Sequence, residues 1–372
     1  MNNTPRVILV VEDWPQLIYL AEALSRRAMQ VVLVGVQGQF TKLPKIDSLE
    51  THCVASMTTA SLAPVLQRLC AQGMPRYIIP MTDDAIRCCW LLAPAFQALL
   101  FPQLTADHLD LIGDKANMSA WARQLGVLIP DFVKTPTPED ALAFAHRQGF
   151  PVVVKGATGR GGSHVRFATN SAELLAALNE LAHDQPSVQQ CIQGVTLLGG
   201  GLFENGKPLR LQLCEKTLTH PKNSGPSIKV RSVTHAELRH DVETICAGLS
   251  WTGFASMDFI WNGKDLYFLE LNPRPWGCIT TATTAGPELF EAFAHMLHGE
   301  PVKPNLTLRK GVEAFVFPGY AFYLVTHGSM GLLLQSLVSP SFWRSVPHSW
   351  RLFVYFLRRT AWAYMSREER NK

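Results

Sequence analysis

An α/β fold class is predicted by three features of the chain. Its first eighty residues alternate β-branched apolar runs with a helical spacing. A strand, a glycine loop and a second strand follow at 150–169. Short strands then dominate from 188 to 271. With 372 residues, the chain is too long for one simple core and suits two or three subdomains.

Each element can be read in order. Val7 to Val11 and Val31 to Val36 are apolar runs suited to buried strands, and Trp14 to Ala28 between them has helical spacing. That β-α-β opening implies a parallel, Rossmann-like sheet. Tyr77 to Pro80 adds a strand, and Thr82 to Asp84 starts a helix. The opening has VVEDWPQ where G-x-G-x-x-G would stand, which argues against a dinucleotide site. Gly113 to Phe132 reads as a helix ending at Gly126 and an extended exit through Pro130. Phe150 to Thr169 reads as a hairpin around a glycine loop. Ser171 to His183 is an amphipathic helix with Ser171 as its expected N-cap. Asn205-Gly206 and Asn262-Gly263 mark hairpin turns.

Composition narrows the function classes. Apolar content of 47% and charged content of 17% describe a globular chain. A formal net charge of +4 is too small to argue for nucleic acid. The eight cysteines form no C-x-x-C pair, and the twelve histidines show no H-E-x-x-H spacing, so no zinc is assigned. The cysteines read as reduced core thiols, and the N-terminus lacks a signal-peptide layout. A cytoplasmic location is therefore expected.

The chemistry concentrates in two stretches. In VVVKGATGRGGSHV, Lys155 ends a buried strand, and Gly156, Gly159, Gly161 and Gly162 follow within seven residues. Glycines let backbone N–H groups approach an anion closely. The lysine precedes the glycines, so this is a hairpin flap rather than a P-loop. In MDFIWNGKDLYFLELNPR, Asp258 lies on one strand and Glu270 and Asn272 on the next, across the Asn262-Gly263 turn. Residues two apart on a strand share a face. Antiparallel pairing can bring Asp258 near them, giving two carboxylates and an amide suited to Mg²⁺ held jointly with substrate phosphates.

Together, Lys115 in DKANM, Lys155 with its glycine flap, Asp258 and ELNPR resemble the ATP-grasp superfamily over roughly Asp114 to Gly286. The NPRPWG tail of the motif is similar to carbamoyl phosphate synthetase-like carboxylate–amine ligases. The resemblance implies a Rossmann-like pre-grasp domain (1–108), a linker and lid subdomain (109–186), a C-terminal grasp subdomain (187–305) and a helical C-terminal extension (306–372).

It also implies roles. Asp258, Glu270 and Asn272 would hold Mg²⁺, or Mn²⁺ in its place. Lys115 and Lys155 would contact ATP, and Gly159 to Ser163 would close over its phosphates. Gln189, Gln190 and Ile192 fall on the hinge strand that meets adenine. Arg274 would stabilise the carboxylate and its acyl phosphate. Lys229 and Arg231 would act near the γ-phosphate, with solvated loop charges as the alternative. Two positions depart from the pattern: the hinge carries Gln189 and Gln190 where many relatives have Glu, and Thr196 replaces the Glu that usually holds ribose.

The implied reaction is ATP-dependent ligation of a small-molecule carboxylate to an amine through an acyl phosphate. Carboxyphosphate formation from bicarbonate and non-catalytic nucleotide binding are the alternatives. Asp83 and Asp84 read as a helix cap, with amine binding as the alternative. Self-association into a homodimer is left open. From Ala314 to Trp343 there is no Asp, Glu, Lys or Arg, and Ser349 to Tyr364 interleaves arginines with aromatics. The favoured reading of this tail is a helix packed on the grasp domain. Peripheral contact with the inner membrane face is the second.

Overall fold

The computed structural model describes residues 5–11, 15–36, 49–157, 164–219 and 227–317, with scattered positions from 319 to 358. The N-terminal unit runs β1 (Arg6–Val11), α1 (Pro15–Ser25), β2 (Gln30–Val36), β3 (Leu49–Val54), α2 (Thr59–Gln72), β4 (Tyr77–Pro80), α3 (Asp83–Trp90) and α4 (Pro94–Gln97). Its four strands form a parallel sheet in the order β3-β2-β1-β4. Central β1 is buried along its whole length, as a parallel strand covered on both faces must be. Ile8 and Val10 pack with Leu62, Leu66 and Leu69 of α2 on one side. Leu9 and Val11 pack with Leu20 and Leu24 of α1 on the other. Edge strand β3 has no expectation from sequence, because LETHCV has only one buried residue.

Helices α5 (Ala106–Gly113) and α6 (Lys115–Gln124) connect this unit to the rest. Asp114 caps α6, accepting from the amides of Ala116 and Asn117, which puts Lys115 at its first position.

Then come β5 (Phe132–Lys134), α7 (Pro138–Gln148), β6 (Val152–Lys155), β7 (Val165–Ala168), α8 (Ser171–Glu180) and β8 (Ser187–Gln190). These strands form an antiparallel sheet in the order β5-β8-β6-β7, and α7 and α8 cover one face. Strand β8 thus lies in this sheet, beyond the expected boundary at 186. Asn170, not Ser171, caps α8. Its side chain accepts from the Glu173 amide while its own backbone is extended, whereas Ser171 is already the first helical residue.

The last sheet is built from β9 (Val195–Glu204), β10 (Lys207–Thr219), β11 (Ser227–Ser232), β12 (Gly253–Trp261), β13 (Leu266–Asn272) and β14 (Glu313–Phe315). Between them lie α9 (Ala236–Gly248), α10 (Ala282–Ala285) and α11 (Leu289–His298). Its order is β13-β12-β9-β10-β11-β14, antiparallel throughout. Strand β14 is therefore part of this sheet, although it lies within the expected extension.

Alternation gives this sheet two different faces. Leu197, Phe203, Leu213, Met257 and Phe268 pack under α9 and α6. On the opposite face, Leu202 and Phe254 pack with α11 and with β1 and α1 of the N-terminal unit. That cover ends before Lys216, Asp258 and Ile260, and the same face there becomes the floor of a cavity.

In α12 (Met330–Leu337), Leu334 is 60% exposed, while Ser336 is buried and donates to the Tyr320 hydroxyl. No helix among the described residues is long and apolar enough to cross a membrane. The basic and aromatic stretch at 349–364 lies almost wholly outside the described residues.

Candidate nucleotide and metal site

A cavity of about 280 Å³ opens between the two antiparallel sheets. Lys155, Gln189, Gln190 and Ile192 line it from the smaller sheet. Thr196, Lys216, Ser256, Asp258, Glu270 and Asn272 line it from the larger one, and Lys115 enters from the start of α6. Pro130, Val153 and Leu269 add apolar wall.

Strand pairing assembles the acidic group. Asp258 stands opposite Glu270, and Ser256 opposite Asn272. A bulge between Asp258 and Phe259 shifts the register after that point. Lys216 Nζ lies 2.6 Å from Asp258 Oδ2, and Lys115 Nζ lies 3.7 Å from Glu270 Oε2. Asn272 Nδ2 donates to Glu270 Oε1 at 3.4 Å. Arg274, 6% exposed, donates through Nη2 to Asn272 Oδ1 at 2.9 Å and through Nε to both Asp83 oxygens at 3.0 Å. Asp83 is the first residue of α3, after the Thr82 cap. An ion pair 191 residues apart in sequence thus joins the parallel-sheet unit to this site.

The charges tune one another. Burial draws the Lys155 ammonium down to about 8, against the opposing pull of Glu270. Burial alone would raise Glu270, but Lys115, Lys155 and Lys216 together hold it below the usual carboxylate range. Burial pushes Asp258 up, and Lys216 only partly counters that. Burial opposes protonation of Lys216, yet Asp258 outweighs it and the lysine is raised. Three lysines around two carboxylates leave positive charge over, which suits a polyanion.

The donor set fits a hard divalent cation. Asp258 and Glu270 face one cavity with the Asn272 amide beside them, its Nδ2 on Glu270 and its Oδ1 shared with Arg274, and among the described residues no group of three or more His, Cys, Asp or Glu side chains could hold a metal by itself. Mg²⁺ is held in this way when phosphates complete its coordination.

The structure therefore brings together Lys115, Lys155, Gln189, Gln190, Ile192, Asp258, Glu270, Asn272 and Arg274. It does not bring Lys229 or Arg231 to the cavity. Arg231 pairs with Glu215 across the strand at 3.0 Å, and Lys229 pairs with Glu313 at 2.9 Å. Glu215 precedes Lys216, so alternation puts this pair on the opposite face. Lys216 is the lysine that sequence reasoning missed. Its one signal is a charge at a cavity-facing position of a long strand, two strands over from Asp258 in the sheet.

Gly159, Gly161, Gly162 and Ser163 lie outside the described residues; β6 ends before them and β7 begins after them. At the base, a Cβ on Gly156 would lie 2.0 Å from Asp184 Oδ2, so this glycine is required for close approach. Asp184 in turn receives His164 Nδ1 at 2.6 Å.

Residues 112–278 match the model of the ATP-grasp domain. This segment is similar to the ATP-grasp domain. It holds the smaller antiparallel sheet and most of the larger one, together with every cavity residue named above. The chain is 24% identical over 250 residues to the carbamoyl phosphate synthase large chain of Haemophilus ducreyi, covering 58% of this chain and 22% of that protein. It is 24% identical over 321 residues to the formate-dependent phosphoribosylglycinamide formyltransferase of Rhodococcus jostii, covering 80% and 76%. The biotin carboxylase domain of Hydrogenobacter thermophilus 2-oxoglutarate carboxylase, solved as a dimer with MgADP, ADP and bicarbonate, superposes with a TM-score of 0.65. That match has 17% identity and covers 82% of this chain and 73% of that one. The chain spans about a fifth of the length of the first curated relatives it matches.

Proposed function

We propose that the protein is an ATP- and Mg²⁺-dependent ligase joining a small carboxylate to an amine. The observation that carries this is the Asp258–Glu270 pair, ringed by Lys115, Lys155 and Lys216 at the floor of the ATP-grasp cavity. Adenine lies in the apolar slot near Val153, Ile192 and Leu269, read by the hinge backbone and the amides of Gln189 and Gln190. Thr196 offers the ribose a hydroxyl in place of a carboxylate. Lys115 and Lys155 neutralise phosphate oxygens, and Gly159 to Ser163 cover them.

Asp258, Glu270 and Asn272 would hold Mg²⁺, which when bound would offset charge on the transferring phosphoryl group. A carboxylate oxygen of the substrate bonds to the γ-phosphorus as the bond to the ADP oxygen breaks, giving an acyl phosphate. The lone pair of the neutral amine then bonds to the acyl carbon, phosphate leaves with the C–O electron pair, and the surplus proton on nitrogen passes to the departing phosphate. Arg274 stabilises the anionic acyl group, and its guanidinium is already aimed by Asp83 and Asn272.

An ADP-release screen of carboxylate and amine pairs tests this reading. Release that requires Mg²⁺ and both substrates is the expected result. Release with bicarbonate alone would establish carboxyphosphate chemistry instead. Nucleotide binding without release across the screen would overturn catalysis.

Lys155 adds a pH signature. Its ammonium loses charge as pH rises through about 8. ATP affinity, measured by equilibrium titration, should therefore weaken about tenfold between pH 7 and pH 9. Lys155→Arg keeps its charge over that range and should flatten the profile. An unchanged slope in the variant would remove Lys155 from phosphate binding.

A further inference from the structure

A second cavity, of about 260 Å³, lies against Pro273, next to the Arg274 that lines the nucleotide cavity. Ile86 and Trp90 of α3, Leu109 and Ile112 of α5, and Pro273 give it an apolar wall. Asp83 stands at its polar end. Arg87 also borders it, but its guanidinium lies 2.5 Å from Asp84, so its charge is matched locally.

We propose that this cavity takes the apolar body of the amine substrate, a primary amine with a leucyl- or phenyl-sized side chain, whose ammonium rests on Asp83. The inference rests on the ligase reading and names its nucleophile class. Asp83 contacts Arg274 through Nε and Nη2 at 2.9–3.0 Å. A carboxylate offers about four acceptor positions, so one edge stays open to a second cation. The Asp83 side chain is 28% exposed, consistent with an accessible edge. A substrate carboxylate would meet the Asp83 charge here and is better placed on the Arg274 side. The single Asp83–Arg274 pair therefore sorts the two substrates, with the acyl group towards the nucleotide and the amine towards the second cavity. An ammonium held on Asp83 is next to the group that stabilises the acyl phosphate, and it gives one proton to solvent before its nitrogen lone pair bonds to the acyl carbon.

The test is calorimetric titration of the full chain, without nucleotide, with phenethylamine, ethanolamine and phenylacetate. Phenethylamine should bind at least about tenfold more tightly than ethanolamine, because only it fills the apolar wall. Phenylacetate should not bind. Trp90→Ala should erase the preference. Leu109→Gln, at a partly buried wall position, should reduce it in a chain whose thermal melt shows it folded. Asp83→Asn should weaken both amines. Equal binding of the two amines, or a preference that survives both wall substitutions in folded protein, overturns the proposal. Because no nucleotide is present, this result is separate from the ADP-release screen. An apolar preference without ADP release from any pair would count against the ligase reading alone.

Discussion

Glu270→Gln should lower ADP release by on the order of 10²–10³-fold, the range seen when a charge-stabilising group is removed from a preorganised site. The substitution keeps shape and removes one negative charge from a cluster in which Lys115, Lys155 and Lys216 all act on Glu270. Three lysines would then face Asp258 as the one remaining carboxylate, and the donor set would change from two carboxylates and one amide to one carboxylate and two amides. Glu270 is also what resists the loss of charge at Lys155. The variant should therefore show its break in ATP affinity below pH 8 as well as slower turnover. Circular dichroism should report an unchanged fold, because neither size nor strand register is altered. Wild-type turnover in this variant would end the assignment of Glu270 to the metal.

Lys216→Met should be the most damaging single change to stability near the site, by about 3–5 kcal/mol in urea denaturation. Lys216 and Asp258 are 13% and 19% exposed and 2.6 Å apart. Removing the ammonium leaves a carboxylate in an enclosed place without its strongest partner. Burial already raises Asp258, and loss of Lys216 removes the main opposing influence. The folded variant would then bind a proton at Asp258 over a pH range where the unfolded chain does not. Stability of the variant should accordingly fall as pH rises through that range, so the loss is smaller at pH 5 than at pH 8. Adding Asp258→Asn should recover most of the stability. A double variant as unstable as the single one would show that Lys216 acts through packing instead.

The two residues differ in how plainly the sequence announces them. Glu270 and Asp258 were legible because alternation and an Asn-Gly turn fix a hairpin, and a hairpin fixes which side chains face one another. The Lys155 hairpin was legible from its glycine loop between two short strands. Lys216 was not, because its partner lies on β12, beyond β9, and strand order is not a local property. Lys229 and Arg231 were misread for want of a register. Irregular pairing near Lys216 and Leu218 precedes residues outside the described set, and only the cross-strand partners show which face the charges take. The Asp83–Arg274 pair has no local signal at all, since its members are joined only through tertiary packing. Strand β3 escaped notice because an edge strand need not be apolar.

The packing of α11 on α1 and β1 sets an order in time. The apolar side of the parallel sheet that carries Leu9, together with Leu20 and Leu24 of α1 packed on it, is closed by residues such as Phe293 and Leu297. About 220 residues separate the end of β4 from the end of α11. At roughly 5–20 residues per second, a growing chain waits about 10–45 s between making that surface and making its cover. Until the second event, the first half of the protein presents to the cell a sticky, strand-rich surface of the kind that chaperones recognise.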